Sequence, residues 1–160
     1  MPNLFRFPPH RSVLTTSIMA ALFVSLVGCN NSKFEFAKVE GRVLLDGSPV
    51  PEAKVVFMPT SQTSDGEAGP YSMGVTDAEG VFTLNSVEKK PHAGAVVGPH
   101  KIIVSTKRSH LAPDSLDVEI IDSPETIPPQ YSHYKKTTLQ FEVPSGGTDE
   151  ANLDLVSTGQ

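Results

Sequence analysis

Cys29 is the single cysteine of the 160-residue chain, so its thiol has no internal disulfide partner and is left to other covalent chemistry. It follows Leu26, Val27 and Gly28 at the end of an apolar run. Tyr131, His133 and Tyr134 lie together, with His92, His100 and His110 elsewhere, and these residue types bind ferric iron. Their spacing does not support such a site: no histidine has a Cys or close His partner at metal-ligand spacing, so surface or turn histidines are expected. Asp77 and Glu79 beside Gly80 lack the regularly spaced oxygen ligands of a calcium loop. Ser109, His110 and Asp114 have the residue types of a nucleophilic triad, but a triad is a geometry and adjacency in sequence does not make one. The expectation is a chain with no catalytic residue, no metal and no cofactor. Tyr71, Tyr131 and Tyr134 remain as candidate ligand contacts, together with the 60–70 or 85–99 loop, because aromatic faces beside polar loops are where carbohydrates or peptides dock. Tyr131 and Tyr134 are also expected to pack a proline-rich crossing onto the fold with their hydroxyls in water.

The residues before Cys29 have the three parts of a processing signal. Arg6, His10 and Arg11 are basic, Val13 to Val27 is apolar and includes Ile18, Met19, Leu22, Phe23 and Leu26, and Gly28 is small. The apolar stretch carries Thr15, Thr16, Ser17 and Ser25 and falls short of the roughly 20 residues that span a bilayer. Leu26-Val27-Gly28-Cys29 resembles the lipobox of bacterial lipoproteins. That resemblance implies cleavage before Cys29, acylation of its thiol and usually of the new amino terminus, and a place in the cell envelope facing the periplasm or the exterior. Each buried acyl methylene contributes about 0.8 kcal/mol, so two or three chains hold a protein on a membrane where one does not. The expected organisation is a signal peptide over 1–28, a lipidated cysteine and short tether over 29–35, a folded domain over 36–157 and a tail over 158–160. The membrane, through the lipid on Cys29, is the first expected partner.

Net charge is −5, and every acidic residue lies after Cys29. The largest basic clusters are the pairs Lys89-Lys90, Lys107-Arg108 and Lys135-Lys136, too small to hold a phosphate backbone, so nucleic acid is excluded as a partner. Fourteen prolines and twelve glycines, with no sustained helical period after Cys29, point to an almost all-β domain.

Period-two alternation begins near Phe36, with Val39, Gly41, Val43 and Leu45 on one face and Lys38, Glu40 and Arg42 on the other, and it closes on an Asp46-Gly47 turn. Ala53 to Met58 is apolar on both faces, as an interior strand would be, and Pro59 stops it. Thr60 to Pro70 reads as a mobile surface loop. Tyr71, Met73 and Val75 alternate, and Val81 to Leu84 is expected to return as their hairpin partner across Asp77 and Gly80. Asn85 to Pro99 reads as a loop, Lys101 to Ser105 as a β-branched strand, and Leu116 to Ile120 as an exposed edge. Asp122 to Gln130, with three prolines, is expected to cross the fold in extended form. Leu139, Phe141 and Val143 are expected to pair with Ala151, Leu153 and Leu155 across the Pro144–Gly147 turn. Strands at this spacing make a seven- or eight-stranded Greek-key β-sandwich.

Three stretches resemble the carboxypeptidase regulatory-like domain, a transthyretin-like or prealbumin-like sandwich. They are Val39, Gly41 and Val43 with Asp46, Gly47, Pro49, Ala53, Val55 and Phe57; then Gly74, Thr76, Asp77, Gly80, Phe82 and Leu84; then Gly94, Ala95, Gly98, His100 and Ile102. The ending, with Ile127, Pro128, Pro129 and Tyr131, is similar to small bacterial lipoproteins that carry this domain alone. The resemblance implies a non-catalytic accessory or adhesion module, often of unknown ligand; the expected role is binding, scaffolding or surface interaction, with a glycan or an envelope protein as the expected partner. Two catalytic families have related sandwiches. Hydroxyisourate hydrolases end in Tyr-Arg-Gly-Ser, whereas this chain ends at Gly159 and Gln160, and the spacing needed by intradiol dioxygenases is absent.

Overall fold

The computed structural model describes residues 33–61, 66–114 and 117–157. Leu26, Val27, Gly28 and Cys29, the apolar run of 13–27, the middle of the 60–70 loop, Leu116 and the 158–160 tail lie outside the described residues. In chain order the strands are β1 (Phe36–Ala37), β2 (Glu40–Leu45), β3 (Ser48–Pro49), β4 (Lys54–Pro59), β5 (Ser72–Val75), β6 (Val81–Thr83) and β7 (Asn85–Ser86). They continue with β8 (Ala95–Val96), β9 (Gly98–Ser105), β10 (Arg108–Leu111), β11 (Glu119–Ser123), β12 (Gln140–Val143) and β13 (Leu153–Leu155), and a one-turn helix, α1 (Pro129–Ser132), precedes β12.

The fold is an all-β sandwich. One layer is a five-stranded antiparallel sheet in the order β12-β9-β4-β5-β7. The other orders β13-β2-β3, with β6 also pairing β2. Nine strands make up these two layers, seven of them three residues or longer. Between them lie Val43, Val55, Phe57, Phe82, Ile102, Val104, Leu153 and Leu155, all buried. Phe57 is the aromatic hub, 6.2 Å from the Phe82 ring in the facing layer and 5.9 Å from Phe141, edge-on, separations at which aromatic rings attract one another.

Local chemistry explains the best-formed turns. Asp46 and Gly47 both take positive φ, 51° and 79°, as a two-residue type I′ hairpin turn requires, and they set Leu45 opposite Ser48. Asp77 Oδ1 accepts from the Glu79 and Val81 backbone N–H groups at 3.0 and 2.8 Å, and Gly80 takes φ 77°. β4 is an interior strand, paired with β5 on one side and β9 on the other.

Four expectations are corrected. β5 and β6 are not hairpin partners: β5 pairs β4 and β7, while β6 pairs β2 in the other layer. The Asp77–Gly80 turn is therefore an arch between sheets. β12 pairs β9, and β13 pairs β2 in parallel, so the segment from Pro144 is a second crossing between layers. The 85–99 stretch holds β7, β8 and the start of β9, and β8 pairs the entering β1. The 122–130 crossing begins inside β11 and ends inside α1, where Pro129 opens a helical turn at the position that tolerates proline. The edge expected near 118–120 is half of a two-stranded ribbon, β10 with β11, which pairs with neither layer.

Candidate functional site

Alternation along β4, β5 and β9 turns Val55, Phe57, Ser72, His100, Ile102 and Val104 into the core. It turns Val56, Met58, Met73, Val75, Lys101 and Ile103 outward. Register then lines the outward residues into rows across the five-stranded sheet. Val56 lies opposite Met73 on one side and Ile103 on the other. Met58 lies opposite Lys101, and Lys101 opposite Gln140. Tyr71 precedes inward-facing Ser72 and so continues this row beside Met58, and its carbonyl accepts from the Val87 N–H at 2.9 Å. An antiparallel sheet with one solvated face ordinarily shows polar side chains there. Here the middle of that face is apolar.

Two of the three candidate tyrosines stand on this face. Tyr71 is 45% exposed and Tyr134 57%. The Tyr134 ring is held over Lys101, whose Nζ is 4.9 Å from the ring centroid, a cation–π contact of about 0.5–1 kcal/mol at an exposed site. Tyr131 goes elsewhere and packs against the core cluster: it lies within α1, whereas Tyr134 comes after the helical turn has ended.

Beside Lys101 the surface dips into a depression of about 440 Å³ lined by Thr60, Pro99, Lys101, Thr137, Gln140 and Glu142. Thr137 Oγ1 donates to the Ile102 carbonyl at 2.5 Å and Thr60 Oγ1 to the Pro99 carbonyl at 3.1 Å. The exposed Gln140 amide and Glu142 carboxylate hydrogen-bond to no described residue. Lys101, Gln140 and Glu142 are not among the candidate site residues expected from the sequence. The signal was there in the period of two: in a strand whose Ile102 and Val104 face inward, Lys101 must face out.

Beneath this depression lies His100, 1% exposed. Its Nδ1 is 2.9 Å from the Gly98 carbonyl, and its Nε2 has no hydrogen-bond partner among the described residues. Burial pushes its pKa below the ordinary 6.5, against the opposing pull of the Gly98 carbonyl and the Glu142 charge, so the ring is held neutral. Two further hollows flank β2, one of about 470 Å³ with Glu40, Arg42, Asp149, Asn152 and Asp154 and one of about 490 Å³ with Lys38, Thr83, Asn85, Gly94, Gly147 and Thr148. In the first, Asn152 Oδ1 accepts from the Arg42 N–H at 3.1 Å.

The other residue types with chemical potential are dispersed. His92 stacks on Phe36 with ring centroids 4.4 Å apart. His110 Nδ1 is 2.9 Å from Asp122 Oδ2, and Ser109 Oγ donates to Glu119, so Ser109, His110 and Asp114 are not brought together as a triad. Asp77 is occupied with its turn. Among the described residues, no group of three or more His, Cys, Asp or Glu side chains is placed to hold a metal ion. No described helix is long and apolar enough to cross a membrane.

No family model and no curated protein matches this chain. Among solved structures it is similar to a 9R-lipoxygenase from Cyanothece PCC8801, with 14% identity and a TM-score of 0.36 over 76% of this chain. The chain spans only 16% of that structure, and a likeness this slight carries no argument about either fold family or activity.

Proposed function

We propose that the protein is a lipid-anchored cell-envelope β-sandwich of the carboxypeptidase regulatory-like type, with a non-catalytic binding role. The observation that carries the reading is Leu26-Val27-Gly28-Cys29 ahead of an all-β domain. Binding, not catalysis, is supported by the distribution of chemistry: the histidines are dispersed and Ser109 and His110 turn to different carboxylates, while an exposed sheet face gathers aromatic, apolar and polar groups into one surface. A rigid sheet is suited to this, because side chains on paired strands keep their spacing without loop ordering.

The test is mass spectrometry of the protein from native membranes, wild type against Cys29→Ala. The expected result is a chain that starts at Cys29 and carries a diacyl or triacyl mass, lost in the variant. An unmodified chain that retains Met1 sinks the anchoring.

A further inference from the structure

We propose that the outward face of the five-stranded sheet binds a neutral oligosaccharide, stacked on Tyr134 and Tyr71 and hydrogen-bonded by Gln140, Glu142 and Lys101. This deepens the binding role above and rests on it. A pyranose has faces made of C–H groups and a rim of hydroxyls that both donate and accept. A site for it needs flat aromatic or apolar surface beside polar groups of both kinds. The depression beside Lys101 supplies this combination: Gln140 donates and accepts, Glu142 accepts, Lys101 donates, and Tyr134 lies over the same lysine. Tyr71 lies just before β5, two strands away from β9, about 10 Å at the usual interstrand spacing. Met58 carries apolar surface across the gap. The distance suits a chain of linked sugars better than a single one.

Charge narrows the ligand. Lys101 and Glu142 line the same depression, so their opposite charges cancel there, and Lys101 is already engaged with the Tyr134 ring. Within the depression an anionic glycan would meet the Glu142 carboxylate, with Lys101 as the one Lys or Arg of the lining. An extended peptide is disfavoured on different grounds. Peptides that add to sheets bind at an edge, where unpaired backbone groups form the new ladder. Here Lys101 and Met58 stand on β9 and β4, which are each paired on both sides, and only Gln140 and Glu142 stand on the edge strand β12.

The full chain, purified in detergent, would be applied to an array of neutral oligosaccharides, uronate-containing and sulfated oligosaccharides, and extended peptides. The strongest neutral binder would then be titrated by calorimetry against wild type, Tyr134→Ala, Tyr71→Ala and Glu142→Gln. All three residues are exposed, so the variants are expected to melt with the wild type. The expected result is binding of at least one neutral oligosaccharide, weakened about tenfold by each tyrosine change and several-fold by Glu142→Gln. The proposal is overturned if the folded protein binds no neutral sugar, binds only acidic sugars or peptides, or binds a neutral sugar with an affinity indifferent to both tyrosines. An empty array with the acyl mass intact on Cys29 would refute the sugar site and leave the anchor standing.

Discussion

Thr76, at the end of β5, ties its strand to the turn before β4 by four hydrogen bonds. Its backbone N–H donates to Ala53 O at 2.9 Å and its carbonyl accepts from Glu52 N–H at 3.0 Å. Its Oγ1 donates to Val50 O at 2.6 Å and accepts from Ala53 N–H at 2.8 Å. The residue is 3% exposed, so water does not replace what a mutation removes. Thr76→Val keeps the β-branched shape and the backbone bonds but deletes both hydroxyl bonds. The stranded Ala53 donor costs about 1–3 kcal/mol and the lost bond to Val50 about 1 kcal/mol more, giving a loss of about 2–4 kcal/mol. Thr76→Ser keeps the hydroxyl and loses one methyl, for about 1 kcal/mol. In urea unfolding, with a slope near about 1.5 kcal/mol/M, the valine variant moves the midpoint down by about 2 M and the serine variant by less than about 1 M, both with the slope unchanged. A valine midpoint that coincides with wild type, or a serine variant weaker than the valine variant, would show that packing and not the hydroxyl holds this turn.

Other perturbations follow from close contacts and from protonation. A Cβ added at Gly41 would stand 2.1 Å from the Ala151 carbonyl oxygen, so Gly41→Ala is expected to cost more than about 4 kcal/mol and abolish cooperative melting; a melting point within a few degrees of wild type would be the contrary result. Burial depresses the His100 pKa below 6.5, so its neutral form favours the fold above that value, and stability is lost as the pH falls through 6.5 towards the folded-state pKa. His100→Phe is expected to flatten the stability profile over that window, and an unchanged slope between wild type and variant would remove His100 as its source. Burial alone would raise the Glu125 pKa, but hydrogen bonds from Ser105, from Thr106 and from the Ile127 N–H outweigh it and lower the pKa from 4.5. The ionised form thus stabilises the fold above about 4.5 and the gain is lost as the pH drops further. Glu125→Gln should be less stable at neutral pH and show a shallower acid limb; acid unfolding identical to wild type would argue that Glu125 does not fasten the crossing to β9.

Period two told which side of each strand was buried, and that part of the fold was legible: Val39 and Val43 are buried and Glu40 and Arg42 exposed, as their alternation requires. Turn chemistry was legible where one residue type satisfies one geometry, as at Asp46-Gly47 and Asp77. Pairing was not. A strand's pattern names its face and says nothing of its neighbour, so β5 with β6 and β12 with β13 looked like hairpins when each pair divides between the layers. Two-residue strands such as β7 and β8 are too short to carry a period. At the candidate site, Tyr71 and Tyr134 could be named from their type, but their sharing of one face depends on the β4–β5–β9 register and on the α1 turn. The burial of His100 and Thr76 was hidden because the sequence does not show which polar residues find partners inside.

The parallel pairing of β13 with β2 also sets when the molecule can close. Leu155 lies opposite Leu45, Leu155 O accepts from Asp46 N–H at 2.9 Å, and the Ser157 N–H reaches Asp46 Oδ1 at 3.0 Å across 111 positions of sequence. The strand near the beginning of the fold therefore waits for the strand near its end, and Ala151, Leu153 and Leu155 are core residues that arrive last. Such long-range pairings must meet the loop-closure entropy before they return any contact energy, which slows folding. A chain emerging from its amino terminus holds β2 without its parallel neighbour until residue 155 is out. Until then the fold stays open and short of its core.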